Sequence, residues 1–170
     1  DELNQLIGLE NVKQDIYKLI SFSKLSQLKK ERGLHSVDRN LHSIFIGNSG
    51  TGKSSVVKIL SKIYKELGIL SKGHIIEIDR SDLVAGYQGQ TAINTEKVIT
   101  QAIGGILYIK DVHTFFSDDD SFGLEAIDTI LKRAEEYKGK LVIIVTGIKS
   151  KLNLLLKTNK EIAKLFPNLF

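Results

Sequence analysis

Residues 47–54 constrain the fold of this chain more than any other part of its sequence. They read GNSGTGKS and follow directly on the apolar run 41–46, which is typical of a strand. Apolar positions then recur at helical spacing from residue 53 to residue 67. The spacing G-x-x-x-x-G-K-S between a strand and a helix predicts a phosphate-binding loop. The alternative is an accidental glycine turn that carries a surface lysine.

The residues of this loop have distinct expected roles. Its glycines let the backbone N–H groups turn onto phosphate oxygens, and the helix behind it adds a positive N-terminal end. The expected cofactor is ATP or ADP; we expect Lys53 to reach the β- and γ-phosphates of ATP, and the Ser54 hydroxyl to be a magnesium ligand. The residues predicted to bind the nucleotide here are Asn48, Ser49, Gly50, Thr51, Gly52, Lys53, Ser54 and Ser55.

Strand and helix patterns alternate along the rest of the chain. Short apolar runs indicate buried strands, and amphipathic segments between them indicate helices. This alternation predicts an α/β fold in which helices cover both sides of a parallel sheet, giving a three-layer α/β/α architecture. The predicted strands are 41–46, 74–78, 106–109 and 141–146, and the predicted helices are 12–32, 53–67, 92–103 and 122–137.

Composition favours one domain that spans residues 1–170. With 42% apolar and 26% charged residues, a chain of 170 residues can bury most of its surface around one core. The net charge of +4 permits a polyanionic partner, but nucleotide phosphate meets that need, so nucleic acid is not expected. Neither a secretory leader nor an apolar run of about 18 residues is present, which predicts a cytoplasmic protein without a membrane span.

Two other clusters do not indicate a metal site. Asp118, Asp119 and Asp120 precede a predicted helix, where acidic residues are favourable, so we interpret them as an acidic loop. The four histidines have no ligand spacing, and the chain has no cysteine.

Four separated motifs carry a resemblance to a known family. They are 4–13 (NQLIGLENVK), the loop 47–54, 71–91 (SKGHIIEIDRSDLVAGYQGQT) and 122–131 (FGLEAIDTIL). In this order they resemble the AAA+ ATPases of the stage V sporulation protein K and CbbX (red-type Rubisco activase) branch. The resemblance implies a P-loop NTPase large subdomain with a five-stranded parallel sheet. It also implies hexameric rings with ATP between subunits and a protein substrate that is remodelled at a central pore.

Three features follow from this resemblance by position. Ile7, Gly8 and Leu9 match the segment that lines the family's adenine pocket, and the alternative is a turn before the first helix. Tyr87 matches the aromatic residue of the first pore loop, which grips the substrate; alternatively, it packs over the sheet edge. The chain ends near Phe170, where the family's helical lid would begin, so we expect the lid to be absent from this chain.

The chain departs from the family at the end of the third strand. An Asp-Glu pair is implied there, and Lys110 and Asp111 stand in its place. An ammonium about 5 Å from Mg²⁺ would be repelled by roughly 6 kcal/mol at an effective dielectric near 20. Lys110 must therefore swing away or replace the metal at the phosphate. Asp111 is shorter than glutamate, and a catalytic water displaced by about an ångström can cost around a hundredfold in rate.

Two further positions depart from the family pattern. Ala163 and Leu165 occupy the places of two arginines, the first of which reaches the neighbouring subunit's γ-phosphate, and Lys164 between them lacks the planar fork of arginine. In the first sensor region Thr146 could form a hydrogen bond, whereas Ile148 could not.

The parts expected to bind nucleotide are therefore kept, and the parts expected to catalyse hydrolysis are altered. We predict an ATP-binding AAA+ domain with weak or no hydrolysis, as a structural or regulatory member of an assembly with active copies. The alternative is an active motor in which Asp111 takes the metal or water role and a partner supplies an arginine. A DNA-handling protein is a third reading, and it predicts salt-dependent duplex binding.

Overall fold

A five-stranded parallel sheet organises the computed structural model, which describes residues 2–5, 10–36, 39–116 and 121–170. Helices fill most of the connections between the strands, as the alternating pattern predicts. The helices are α1 (Glu10–Glu31), α2 (Lys53–Glu66), α3 (Arg80–Leu83), α4 (Gln90–Ala102), α5 (Ser121–Glu136), α6 (Lys149–Thr158) and α7 (Lys160–Leu165), with a 3₁₀ turn at Val112–Phe115. The strands are β1 (Ser43–Ile46), β2 (Ile75–Ile78), β3 (Ile106–Ile109), β4 (Val142–Gly147) and β5 (Asn168–Leu169).

The strand order is β2-β3-β4-β1-β5, and every neighbouring pair is parallel. The carboxyl ends of all the strands therefore meet at one edge. Ile46 at the end of β1 lies beside Gly147 of β4, and Ile109 at the end of β3 lies beside Val145. The residues that follow β1 and β3 are brought to the same edge, although the chain separates them by a helix, a strand and two more helices.

Alternate residues of each strand pack on opposite faces of the sheet, because side chains in a strand alternate in direction. Ile106 and Tyr108 of β3 belong to the apolar cluster that includes the buried residues of α1 and α2. Leu107 and Ile109 belong to the other cluster, with residues of α4 and α5. The predicted three-layer α/β/α architecture and parallel sheet are confirmed.

The four predicted helices and four predicted strands all occur, with ends within two residues of those expected. Leu41 and His42 precede β1 instead of belonging to it. The helices α3, α6 and α7 and the 3₁₀ turn are not predicted from the pattern. β5 has only two residues after Pro167, too few for an alternating pattern, and a fifth strand is expected only from the resemblance. Within the described ranges, no helix is both long and apolar enough to cross a membrane.

His42 is a buried histidine that ties β4 to the segment before β1. Its Nδ1 accepts a hydrogen bond from the backbone N–H of Ile143 at 2.8 Å, and its ring contacts Phe166 edge to face. Burial lowers the pKa of His42 to about 4, from 6.5 for a free histidine. The native state therefore keeps this imidazole neutral at pH values where the unfolded chain binds a proton.

This difference predicts a loss of stability in mild acid. The stability that the neutral His42 contributes is fully present above pH 6.5. It is lost as the pH falls from 6.5 to about 4, because only the unfolded state takes up the proton in that window. Across this window the free energy of unfolding should fall by about 3 kcal/mol. Urea unfolding across this range should show a smaller pH slope in His42→Gln, whereas His35→Gln, which changes an exposed histidine, should keep the wild-type slope. Equal slopes in all three proteins would contradict the assignment.

Candidate functional site

The glycine-rich loop begins at the centre of the sheet edge. The Ile46 N–H donates to the Phe170 carbonyl at 2.7 Å, and the Gly47 N–H donates to the Gly147 carbonyl at 3.1 Å. The start of the loop is thereby held between β5 and β4. Gly50 and Gly52 have φ values of 78° and 88°, which glycine adopts without steric cost. The backbone path of the loop therefore depends on its glycines.

The helix behind the loop presents an uncompensated positive end. α2 has no acidic residue in its first turn, and its helical bonding begins where the Val56 N–H donates to the Gly52 carbonyl at 3.1 Å. The first N–H groups of a helix lack intrahelical acceptors and carry the positive end of the helix dipole. The start of α2 is therefore suited to an anion such as phosphate.

The Lys53 ammonium lies against the loop that precedes it. Its Nζ donates to the carbonyl of Gly47 at 2.9 Å and to that of Asn48, and the Thr51 Oγ1 lies 3.3 Å away. Thr51 Oγ1 in turn donates to the Asn48 carbonyl at 2.9 Å. The predicted binding residues 48–55 are therefore all on this loop and the first turn of α2, with a cation held at the loop itself.

Ser54 contacts a residue that the sequence does not single out. Its Oγ lies 3.2 Å from the hydroxyl of Tyr108, a side chain that is 2% exposed on β3. Burial raises the pKa of Tyr108, and the hydrogen bond with Ser54 is the largest opposing cause. Tyr108 stands two residues before Lys110, on the same face of the strand. In the sequence, Tyr108 is distinguished only as an aromatic residue in an otherwise aliphatic strand.

Lys110 is turned toward the neighbouring strand. Its Nζ forms an ion pair with Glu77 Oε1 at 3.1 Å, and both side chains are nearly half exposed. The hydrogen bond and the charge of Glu77 raise the pKa of Lys110. The ammonium is thus directed at β2, and its pairing with phosphate in place of a metal stays a prediction. Exposed ion pairs stabilise little, so the side chain is free to exchange partners.

Asp111 has an uncommon backbone conformation. Its φ is 51°, in the left-handed region that aspartate tolerates better than most residues. The Asp111 N–H donates to Thr146 Oγ1 at 3.1 Å, and its carbonyl accepts from Thr114 Oγ1 at 2.7 Å. Thr146 does form a hydrogen bond, as expected, but it holds the backbone of Asp111. The exposed Asp111 side chain follows β3 at the same sheet edge as the loop.

A magnesium ion would find few protein ligands here. Within the described residues, no group of three or more histidine, aspartate or glutamate side chains is arranged to hold a metal ion. The Ser54 oxygen is engaged by Tyr108, and an ammonium stands where the resemblance implies a carboxylate. At Lys110 the chain therefore lacks the carboxylate that the resemblance implies for holding magnesium.

Tyr87 lies on the surface loop between α3 and α4. It is 80% exposed, which excludes the alternative that it packs over the sheet edge. The loop is anchored where the Ala85 N–H donates to Thr91 Oγ1 at 3.0 Å, and Gly89 starts α4 with a φ of 80°. The loop is therefore anchored at its base, and the Tyr87 side chain is exposed to solvent.

The remaining predicted residues are placed as follows. Lys164 lies on α7, which leads into the amino end of β5. Lys164 is therefore at one edge of the sheet, and the glycine-rich loop is at the opposite edge. Ala163 and Leu165 are on the same short helix. The adenine-pocket residues Ile7, Gly8 and Leu9 lie outside the described residues, as does the acidic loop 118–120.

A parallel sheet in this strand order, with a glycine-rich loop between β1 and α2, defines a P-loop nucleotide-binding domain of the NTPase class. Residues 43–168 match the family described as ATPase family associated with various cellular activities (AAA). The chain belongs to this family.

Relatives cover nearly all of this chain. Stage V sporulation protein K of Bacillus subtilis (strain 168) is 35% identical over 167 residues, which are 98% of this chain and 52% of that protein. The ESX-1 secretion system protein EccA1 of Mycobacterium tuberculosis (strain ATCC 25618 / H37Rv) is 34% identical over 97% of this chain. The ESX-3 secretion system protein EccA3 of Mycolicibacterium smegmatis is 36% identical, again over 97%.

The resemblance to the stage V sporulation protein K branch is confirmed. The chain spans about half the length of the sporulation protein and 30% and 28% of the two secretion proteins.

Proposed function

We propose that this AAA domain binds ATP or ADP and hydrolyses ATP weakly or not at all. The observation that carries the proposal is the ion pair between Lys110 and Glu77, which stands beside an intact phosphate-binding loop. Where a carboxylate would face the metal, the chain has a cation directed at another strand. Loop and helix retain the groups that recognise phosphate.

The proposed phosphate site is made of residues 48–55. Backbone N–H groups of the loop and of the start of α2 would contact phosphate oxygens, and Lys53 would exchange the carbonyls of Gly47 and Asn48 for them. A charged phosphate is a stronger acceptor for an ammonium than a neutral carbonyl, so the exchange is favourable. The adenine would lie near Ile7, Gly8 and Leu9.

Two losses limit hydrolysis in this proposal. Activation of water would depend on Asp111, a carboxylate one methylene shorter than glutamate, and a misplacement of about 1 Å can cost around a hundredfold. Neither Ala163 nor Leu165 can supply an arginine to a neighbouring γ-phosphate, and such an arginine contributes about 10³ to 10⁵ in rate. When bound in P-loop enzymes, Mg²⁺ neutralises charge on the β- and γ-phosphates.

The proposed setting is a cytoplasmic ring, hexameric as in the family branch, that also contains active AAA subunits. Membership of the AAA family suggests assembly with other AAA subunits. The exposed Tyr87 supports a role in gripping a protein substrate at a pore. In such a ring, this chain would hold nucleotide as a structural or regulatory member.

An active motor remains the second candidate, and one observation favours it. Asp111 is exposed, and hydrogen bonds at both its N–H and its carbonyl hold its backbone at the sheet edge. A partner would then supply the arginine, and Asp111 would orient either the metal or the water.

Equilibrium dialysis against labelled ATP tests the proposal. We expect one nucleotide per chain, displaced by ADP and unaffected by duplex DNA. Failure to retain either nucleotide would contradict the proposed function. Competition by duplex DNA that weakens with added salt would support a DNA-handling protein instead.

A further inference from the structure

We propose that the Tyr108 hydroxyl determines the metal preference of this site, by engaging the Ser54 oxygen so that the loop binds metal-free nucleotide. The inference rests on the proposed nucleotide binding. It goes beyond it by assigning a specificity-determining residue that takes no part in contacting the phosphates.

The position of Tyr108 is set by the sheet. Its backbone pairs with Glu77 of β2 on one side and with Ile144 of β4 on the other, so β3 is a central strand at this residue. The side chain is 2% exposed and packs in the cluster that contains Val56 and Val57 of α2. Its hydroxyl lies 3.2 Å from Ser54 Oγ, in the first turn of α2.

The chemistry of the two hydroxyls favours one direction of this hydrogen bond. A phenol is a stronger acid than an alkyl alcohol, and its oxygen is a weaker acceptor because one lone pair is delocalised into the ring. These acidities favour Tyr108 as the donor and Ser54 Oγ as the acceptor, although either hydroxyl has a proton to give. A serine oxygen has two lone pairs, and a hydrogen bond accepted at one of them makes the oxygen a weaker ligand for a cation.

Lys110 also disfavours a metal ion at this site. It directly follows β3, and its Nζ pairs with Glu77, the residue of β2 that lies opposite Tyr108. The ion pair with Glu77 keeps this ammonium at the sheet edge, where it disfavours a divalent cation and favours phosphate. Because that ion pair is exposed, Lys110 can leave Glu77 for a phosphate oxygen. The site therefore discourages magnesium through an engaged oxygen and through a positive charge at the sheet edge.

The test measures the affinity for a fluorescent ATP analogue with saturating Mg²⁺ and with excess EDTA. For the wild-type chain we expect the affinity in EDTA to equal or exceed the affinity in Mg²⁺. In Tyr108→Phe the Ser54 oxygen is released, and the Mg²⁺ form should gain roughly tenfold over the EDTA form. Binding in EDTA should be unchanged, which also reports that the variant is folded.

Tyr64→Phe is the matched control. Tyr64 lies on α2, the helix that carries Ser54, and its fully buried hydroxyl has no hydrogen-bond partner within the described residues. The same atom is removed without altering Ser54, so this variant should keep the wild-type ratio of the two affinities.

Four results would overturn the inference, and the last of them would overturn the proposed function too. A wild-type chain that prefers Mg²⁺ by tenfold or more would show that the metal already has its ligands. A ratio in Tyr108→Phe equal to that of Tyr64→Phe would show that the hydroxyl has no influence. If Tyr108→Phe alone fails to bind the ATP analogue in EDTA, Tyr108 supports the structure of the loop and does not set the metal preference. Absence of binding by the wild-type chain in both conditions would overturn the proposed function as well.

Discussion

Replacing Lys110 by aspartate and Asp111 by glutamate together is expected to raise the rate of ATP hydrolysis roughly a hundredfold. The aspartate removes the ammonium beside the metal position and breaks the ion pair with Glu77. The glutamate extends the carboxylate by one methylene toward the attacking water. Steady-state release of phosphate, compared with the wild-type chain, measures the change.

Three control variants show where such a gain comes from. Lys110→Ala should gain little, because it removes the repulsion without supplying a carboxylate, and Asp111→Glu alone should gain little while the ammonium remains. Adding Lys53→Ala to the double variant should abolish the gain, which excludes a contaminating ATPase. A wild-type rate equal to that of the double variant would mean that Asp111 already performs the chemistry.

The gain should stop well below the rate of an active AAA motor. Ala163 and Leu165 still occupy the arginine places in the double variant, and no other change supplies a planar fork to a neighbouring γ-phosphate. A full motor rate would therefore indicate that an arginine comes from another part of the chain.

Lys53→Ala should weaken the binding of ATP by about 10- to 100-fold. Hydrogen bonds to charged groups contribute about 1.5–3 kcal/mol, and each 1.4 kcal/mol is a factor of ten in affinity. The substitution also removes the donor that the carbonyls of Gly47 and Asn48 share. Isothermal titration calorimetry with ATP measures the loss.

Lys58→Ala is the matched control for this prediction. Lys58 is an exposed lysine on the same helix, one turn beyond the loop, so the change in net charge is identical. Its backbone carbonyl accepts from Ser61 and is unaffected by the substitution. Equal affinities for ATP in Lys53→Ala, Lys58→Ala and the wild-type chain would contradict the phosphate-binding role of the loop.

The central part of the fold could be predicted because its signals are local. The run before Gly47, the glycine spacing and the helical periodicity after Lys53 all lie within a few turns of chain. β5 could not be predicted from its pattern, since two residues carry no period. The short helix α3 begins with a capping box made by Asp79 and Asp82, and its four residues are too few to show a helical period.

The candidate site was predictable as a set of positions, but its contacts were not. The sequence indicates that Lys110 cannot stay beside a metal ion. It does not indicate Glu77 as the partner, because the pairing of β2 with β3 is a long-range contact. The contact between Tyr108 and Ser54 likewise depends on how α2 packs on the sheet. Ile7, Gly8 and Leu9 stay a prediction.

The most direct test of the central claim follows the fate of bound ATP in a single turnover. The chain would be mixed in excess with radiolabelled ATP, and bound nucleotide would be separated over time as ATP or ADP. We expect the bound nucleotide to remain ATP for hours, with ADP formation no faster than in a Lys53→Ala sample. Conversion of the bound ATP to ADP within seconds to minutes in the wild-type chain alone would contradict the claim that binding is kept and hydrolysis lost.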